Sequence, residues 1–150
     1  GDWSSDVCSS DLVKVGGGEN HRFGLFDMIL IKNNHVDSSG GIINAIRSAN
    51  EYLKSKNKNL EIIAEARNMQ EVNDVLIFGN VKRILLDNFA PVQLAEAVKI
   101  INHRFETEAS GKITLKNVRE YAETGVDFIS AGALTHSYKS LDISLRIKAQ

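Results

Sequence analysis

Short apolar runs, each closed by a polar residue, recur along this chain. Met28-Ile29-Leu30-Ile31 ends at Lys32, Leu60–Ala64 at Glu65, and Ile84-Leu85-Leu86 at Asp87. Phe105–Ala109 runs into Ser110-Gly111, and Phe128–Ala131 into Gly132. From Glu65 onward the interval is roughly 22 residues, the length of one strand, one helix and two short loops. Between the runs the spacing is helical. Ile42, Ile43, Ile46, Ala49 and Leu53 lie on one helical face after Ser38-Ser39-Gly40-Gly41, where Ser38 or Ser39 can cap. Met69–Phe78 reads as a helix that Gly79-Asn80 terminates, and Pro91–Ile101 as one with proline in its first turn. Thr114–Glu123 reads as a fourth, stopped near Gly125. The strands expected are Val13-Lys14-Val15 (a remnant), Met28–Ile31, Leu60–Ala64, Lys82–Leu86, Phe105–Ala109 and Val126–Ser130, with Leu141–Ile147 as a last strand or short helix.

Strands alternating with helices predict a parallel sheet. Continuous apolar runs predict strands covered on both faces. Five successive strand ends carry polar candidates, whereas an open doubly wound sheet concentrates its ligand contacts beside the switch point. The fold expected is therefore α/β, an incomplete TIM-like barrel of parallel strands. About six β/α units are visible against the eight of a full barrel, so the chain reads as a barrel truncated at its N-terminal side. Residues 1–12 do not share the pattern. They repeat Ser-Ser-Asp around Val7-Cys8 and resemble translated adapter sequence or a disordered tail, leaving 13–150 as the barrel fragment.

Composition narrows the function. The hydrophobic fraction of 43% supports an ordinary core, and a net charge of -1 with no basic stripe argues against nucleic-acid binding. The apolar runs are too short to cross a bilayer. A single cysteine, Cys8, forms no internal disulfide, which points to a cytoplasmic setting. There is no His-Glu-x-x-His, Cys-x-x-Cys, P-loop or Gly-x-Ser-x-Gly motif.

The strand ends carry the candidate chemistry. Lys32 closing an apolar strand calls for an anion as partner; the alternative is a lysine reaching out from the rim. His35 reads as a hydrogen-bonded structural residue. Glu65 and Asp87 stand one β/α unit apart, able to hold Mg²⁺ or sugar hydroxyls, or to stabilise a cationic transition state. The alternatives are an ion pair of Glu65 with Arg67 or Arg83, and a helix cap at Asp87-Asn88. Gly16-Gly17-Gly18 allows close backbone approach to a ligand, and His21 and Arg22 offer donors for a carboxylate or phosphate. The turns at Ser110-Gly111-Lys112 and Ala131-Gly132-Ala133 present backbone N–H groups suited to phosphate.

These segments occur in one order: Gly16-Gly17-Gly18 with Asn20-His21-Arg22, Ile31-Lys32-Asn33-Asn34-His35, Leu85-Leu86-Asp87-Asn88-Phe89, Glu108-Ala109-Ser110-Gly111, Tyr121–Asp127 and Gly132-Ala133-Leu134-Thr135-His136-Ser137. Together they resemble the quinolinate phosphoribosyltransferases, also called nicotinate-nucleotide pyrophosphorylases (carboxylating), over residues 13–150. The resemblance implies a pentosyltransferase that makes nicotinate mononucleotide, pyrophosphate and CO₂ from quinolinate and phosphoribosyl pyrophosphate. This is the entry step of de novo NAD synthesis. It implies Mg²⁺, no organic cofactor, and a homodimer or higher homo-oligomer. His21, Arg22 and Lys32 would face the quinolinate carboxylates, and Glu65 and Asp87 the ribose hydroxyls and metal. Ser110, Gly111 and Lys112, with Ala131, Gly132 and Ala133, would hold phosphate, with His136 nearby. Lys32, Glu65 and Asp87 would be the catalytic set.

The chain departs from the family pattern in several places. No Lys-Thr-Thr-Pro-Gly-Leu-Arg segment precedes the glycine run, and the family's N-terminal sandwich has no counterpart. Asn33 stands where Asp is usual, and Ala64 and Arg67 flank Glu65 atypically. The 150 residues alone are therefore expected to be inactive, and a longer parent active. The rival readings are a related barrel transferase of the nicotinate or molybdenum-transport-associated type, and a non-catalytic phosphate-binding barrel.

Overall fold

The computed structural model of the chain describes residues 13–21 and 26–136. Five strands form one sheet: β1 (Met28–Ile31), β2 (Glu61–Ala66), β3 (Arg83–Asp87), β4 (Glu106–Ser110) and β5 (Phe128–Ser130). Every neighbouring pair is parallel, and the spatial order is the chain order. A sheet with no reversal of order has no switch point, so this is the wall of an incomplete barrel and not half of a doubly wound sheet.

The helices are α1 (Asn33–Ser38), α2 (Ile42–Ser55), α3 (Met69–Phe78), α4 (Pro91–Ile101), α5 (Val118–Ala122) and α6 (Ala133–His136). Their local causes are plain. Asn68 accepts the Glu71 N–H at 2.9 Å and starts α3, and the Gly79 N–H closes it on the Val75 carbonyl at 2.8 Å. Proline at the first position starts α4.

Strand periodicity sorts the sheet into two faces. Ile31, Ile62, Ala64, Ala66, Ile84, Leu86 and Ala109 point outward into the core that the helices cover, with Ile46, Val72, Val75, Leu94 and Ile101 buried against them. The opposite, inner face carries Ile63 and Leu85, but also Arg83, Asp87, Glu106, Glu108, Ser110 and Ser130. The expected apolar cover on both faces thus holds on the outside only, because the inner positions of β4 are acids. Outside, the Asp127 carboxylate accepts from the Thr107 N–H and hydroxyl at 2.8 and 2.7 Å, tying β5 to β4.

Several local expectations are corrected. Residues 13–15 are helical, not a strand remnant. The Gly17 and Gly18 N–H groups fold back onto the Lys14 and Val13 carbonyls at 3.0 and 2.9 Å, and three residues hold too little periodicity to choose. Neither Ser38 nor Ser39 caps α2. Gly41 stands at that position, while Ser38 belongs to α1 and its hydroxyl donates to the His35 carbonyl at 3.1 Å. The helix expected over Thr114–Glu123 shortens to Val118–Ala122. The Asn117 side chain takes the Thr114 N–H at 2.7 Å and gives its own amide to the Lys112 carbonyl at 3.2 Å, making a turn instead. Residues 1–12 and the element expected at Leu141–Ile147 lie outside the described residues. Among the described residues, no helix is long and apolar enough to cross a membrane.

Candidate active site

Glu65, Asp87 and Ser110 are strand residues, not followers of strands. Glu65 is next to last in β2, Asp87 ends β3 and Ser110 ends β4. Their polar side chains ended the apolar runs in the sequence without ending the backbone ladder. Asp87 pairs with Ser110, and Ser110 with Ser130, so three polar residues form a row across adjacent C-terminal strand ends. Glu65 pairs with Leu85, one layer lower on the same face.

Lys32 follows β1 directly and is exposed. Its backbone N–H donates to His35 Nδ1 at 3.0 Å, so His35 has the structural role expected of it. The Asn33 backbone N–H reaches the Glu65 carboxylate. Burial raises the Glu65 pKa, and the charge of Asp87 raises it further. The Asn33 N–H, Lys32 and Arg67 oppose that rise without cancelling it. Lys32 and Asp87 are therefore each within electrostatic reach of Glu65 at one rim.

The ion pairs suggested for Glu65 do not form. Arg67 turns away and grips Glu71 through Nη2 at 2.6 Å and Asp37 through Nη1 at 2.9 Å. This fork ties α1 to the start of α3. Arg67→Ala is expected to speed hydrogen exchange at the His35 and Val36 amides while leaving that of Leu86 unchanged; equal exchange at all three in variant and parent would discount the tie. Arg83 is likewise engaged elsewhere. It donates to Glu106 through Nε and Nη2 at 3.0 and 2.9 Å and to Glu108 through Nη1 at 2.9 Å, with its guanidinium 3.7 Å from the Phe128 ring centre. Asp87-Asn88 is not a helix cap, since Ala90 holds that position before Pro91.

His21 meets Glu108, not Lys32. Its Nε2 lies 3.0 Å from Glu108 Oε1, close enough for an ion pair but off the line of a straight hydrogen bond. Glu108 also accepts from the Ser130 hydroxyl. A cleft of about 760 Å³ opens here, lined by His21, Arg83, Glu108, Phe128, Ser130 and Gly132 among others. Its size suits a small-molecule ligand, but its lining includes none of Lys32, Glu65, Asp87, Ser110 and Gly111. A second groove of about 480 Å³ between β1 and α2 is mainly apolar and, of the residues weighed at the strand ends, touches only His35. Lys112 is exposed, and Ala131, Gly132 and Ala133 lead from β5 into α6 at the same end as Ser110. His136 ends α6, and its side chain, like the whole of Arg22, lies outside what the structure describes.

Sequence reasoning missed Asn88, Arg83, Glu106 and Glu108. The alternation Glu106-Thr107-Glu108 was a signal for the last two, because two acids at a spacing of two share one strand face.

The family model "Quinolinate phosphoribosyl transferase, C-terminal domain" matches residues 8–146. The chain belongs to this family. The chloroplastic nicotinate-nucleotide pyrophosphorylase (carboxylating) of Arabidopsis thaliana is 49% identical over 152 residues, covering 92% of this chain and 44% of the relative. The mitochondrial quinolinate phosphoribosyltransferase (decarboxylating) 2b of Nicotiana tabacum is 45% identical over the same length, covering 92% and 43%. The crystal structure of NadC from Streptococcus pyogenes superposes with a TM-score of 0.86 at 32% identity, over 97% of this chain and 50% of that one. The chain thus spans less than half the length of these curated relatives. Within the quinolinate phosphoribosyl transferase family, the described sheet is a stretch of barrel wall.

The donor set at the rim also fits the metal that the family implies. Among the described residues, no three His, Cys, Asp or Glu side chains converge as a complete protein cage. Mg²⁺ needs none, because it binds through one or two carboxylates and completes its shell with water and substrate phosphates. Glu65 and Asp87 are hard oxygen donors whose mutual repulsion a cation would relieve.

Proposed function

We propose that this chain forms the phosphoribosyl-transferring part of a quinolinate phosphoribosyltransferase that joins quinolinate to phosphoribosyl pyrophosphate and releases pyrophosphate and CO₂. The observation that carries the reading is the grouping of Lys32, Glu65 and Asp87 at one rim, with Ser110-Gly111 beside Asp87.

The residues divide the task by charge. Quinolinate has two carboxylates, and His21, Arg22 and Lys32 face them, Arg22 and Lys32 as cations. Glu65 and Asp87 face the ribose hydroxyls. As the bond to pyrophosphate breaks, positive charge grows on the ribose ring, and the two carboxylates stabilise it. The pyridine nitrogen forms the new bond to the anomeric carbon while pyrophosphate leaves with the electron pair of the old one. The resulting pyridinium accepts the electrons of the carboxylate that departs as CO₂, and a proton replaces it. Ser110-Gly111-Lys112 and Ala131-Gly132-Ala133 hold phosphate, with His136 nearby. Glu65 and Asp87 would hold Mg²⁺, whose charge would offset that of the leaving pyrophosphate. Much of the acceleration is orientation of two anions that otherwise repel. No covalent enzyme intermediate is needed. The assembly proposed is a homodimer or larger homo-oligomer, on the sequence resemblance alone. The single cysteine alone supports a cytoplasmic setting, and the two plant relatives are named chloroplastic and mitochondrial.

A chimera tests the reading. Residues 13–150 replace the matching segment of the Arabidopsis thaliana relative, and pyrophosphate and CO₂ are measured with Mg²⁺ and both substrates. Equal release of the two products from quinolinate is expected. Release of pyrophosphate with nicotinate in place of quinolinate would favour the nicotinate type. Binding of phosphoribosyl pyrophosphate with no turnover would favour a non-catalytic barrel.

A further inference from the structure

Asn88 makes contacts on three sides. Its side-chain amide donates to Asp87 Oδ2 at 2.8 Å, and an amide facing a carboxylate can do so only with its NH₂ group. Its backbone N–H donates to the Ser110 carbonyl at 2.8 Å, across from β3 to β4. Its side chain also fills the space beside Gly111. A Cβ on Gly111 would lie 2.5 Å from Asn88 Oδ1, 2.7 Å from Cγ and 3.0 Å from the backbone nitrogen. Both residues have left-handed backbones, with φ of 57° at Asn88 and 99° at Gly111. Asparagine tolerates that conformation better than most side chains. The sequence around it, Asp87-Asn88-Phe89-Ala90-Pro91, offers a simple turn as the bland explanation. A turn alone does not require the side chain to bridge an acid on one strand and a glycine on the next.

We propose that Asn88 is a positioning residue that locks the Asp87 carboxylate and the Ser110-Gly111 turn into one unit. The acid facing the ribose hydroxyls and the backbone facing phosphate then keep a fixed separation. This rests on the reading of that rim as the phosphoribosyl pyrophosphate site. It adds a residue that touches neither reacting atom and acts through Asp87 and Gly111. The backbone bond to Ser110 survives any substitution except proline, so the side chain's share can be isolated.

The test uses the full-length chimera described above as parent, two readouts and three variants. Asn88→Gly keeps the left-handed backbone and removes only the side chain. Its melting temperature is expected to stay close to the parent's. Its affinity for phosphoribosyl pyrophosphate with Mg²⁺, measured by calorimetry, is expected to fall about tenfold. Gly111→Ala is expected to lower the melting temperature markedly in the parent and much less in the Asn88→Gly background, where its clash with the side chain is gone. Unchanged affinity in Asn88→Gly, or an equal melting penalty for Gly111→Ala in both backgrounds, overturns the proposal. If the parent binds no phosphoribosyl pyrophosphate, the functional reading fails; the melting cycle still decides whether Asn88 couples the two strands.

Discussion

Glu108→Ala is expected to cost about 3–5 kcal/mol of folding stability, the loss seen when one partner of a buried ion pair is removed. That is a large share of what a domain of this size possesses. Glu108 is 1% exposed in the inner wall. Oε2 accepts from Arg83 Nη1 at 2.9 Å, while Oε1 faces the Ser130 hydroxyl and His21 Nε2. Removing it strands part of the Arg83 fork, releases the segment that carries His21, and leaves a void. Glu108→Gln keeps the volume and loses the charge, so it should fall between parent and alanine. The pH dependence identifies the cause. Burial alone would raise the Glu108 pKa, but its contacts with His21, Ser130 and Arg83 outweigh it and hold the carboxyl at about 2, against an ordinary 4.5. A depressed carboxyl stabilises the fold above the unfolded value, and the contribution disappears as pH falls from about 4.5 toward 2. Urea denaturation of the parent and Glu108→Gln should therefore show a gap at pH 7, on the order of 3 kcal/mol, that narrows on acidification through that window. A gap independent of pH would mean that packing, not charge, holds Glu108 in place.

Helices were more legible in the sequence than the inner wall, for a physical reason. α3 and α4 have the bounds read from spacing because their ends are written locally, in Asn68 and Gly79 for one and Pro91 for the other. α1 was missed. It has one buried residue, Val36, and a His35 contact to the Lys32 backbone, so it shows no apolar period. β3 and β4 each continue past their last apolar residue, and β2 past the run that Ala64 closes, because Asp87, Ser110 and Glu65 still pair with neighbours. Lys32, Glu65 and Asp87 were legible as candidates because charge at the end of an apolar strand is a one-dimensional signal. The Arg83 network was not. Its partners Glu106 and Glu108 are 23 and 25 residues away and meet it only across the sheet. Asn88 sat inside a quoted motif, yet its contact with Gly111 appears only once β3 and β4 are side by side.

Substitutions at Glu65 and Asp87 should have the opposite signature to those at Glu108: activity lost, stability kept. The salt bridges among the described residues engage Asp37, Glu71, Glu106, Glu108 and Glu123 and leave Glu65 and Asp87 out. Burial and Asp87 raise the Glu65 pKa. A raised carboxyl pKa means that ionised Glu65 opposes folding at neutral pH, and that this penalty vanishes once pH falls below the unfolded value. Glu65→Gln should accordingly be at least as stable as the parent at pH 7, with the difference closing on acidification. Asp87→Asn should share the gain by removing the like charge. In the active chimera the same two changes should each lower kcat/KM for phosphoribosyl pyrophosphate by about 10²- to 10³-fold, the usual cost of losing a group aimed at transition-state charge. Repulsion between two acids that no ion pair among the described residues neutralises is what a substrate bearing developing positive charge, or a bound Mg²⁺, can convert into selective stabilisation. Paired measurements of melting temperature and turnover decide it: variants that lose stability and activity in parallel would make the two carboxylates structural, and the rim would no longer qualify as the catalytic centre.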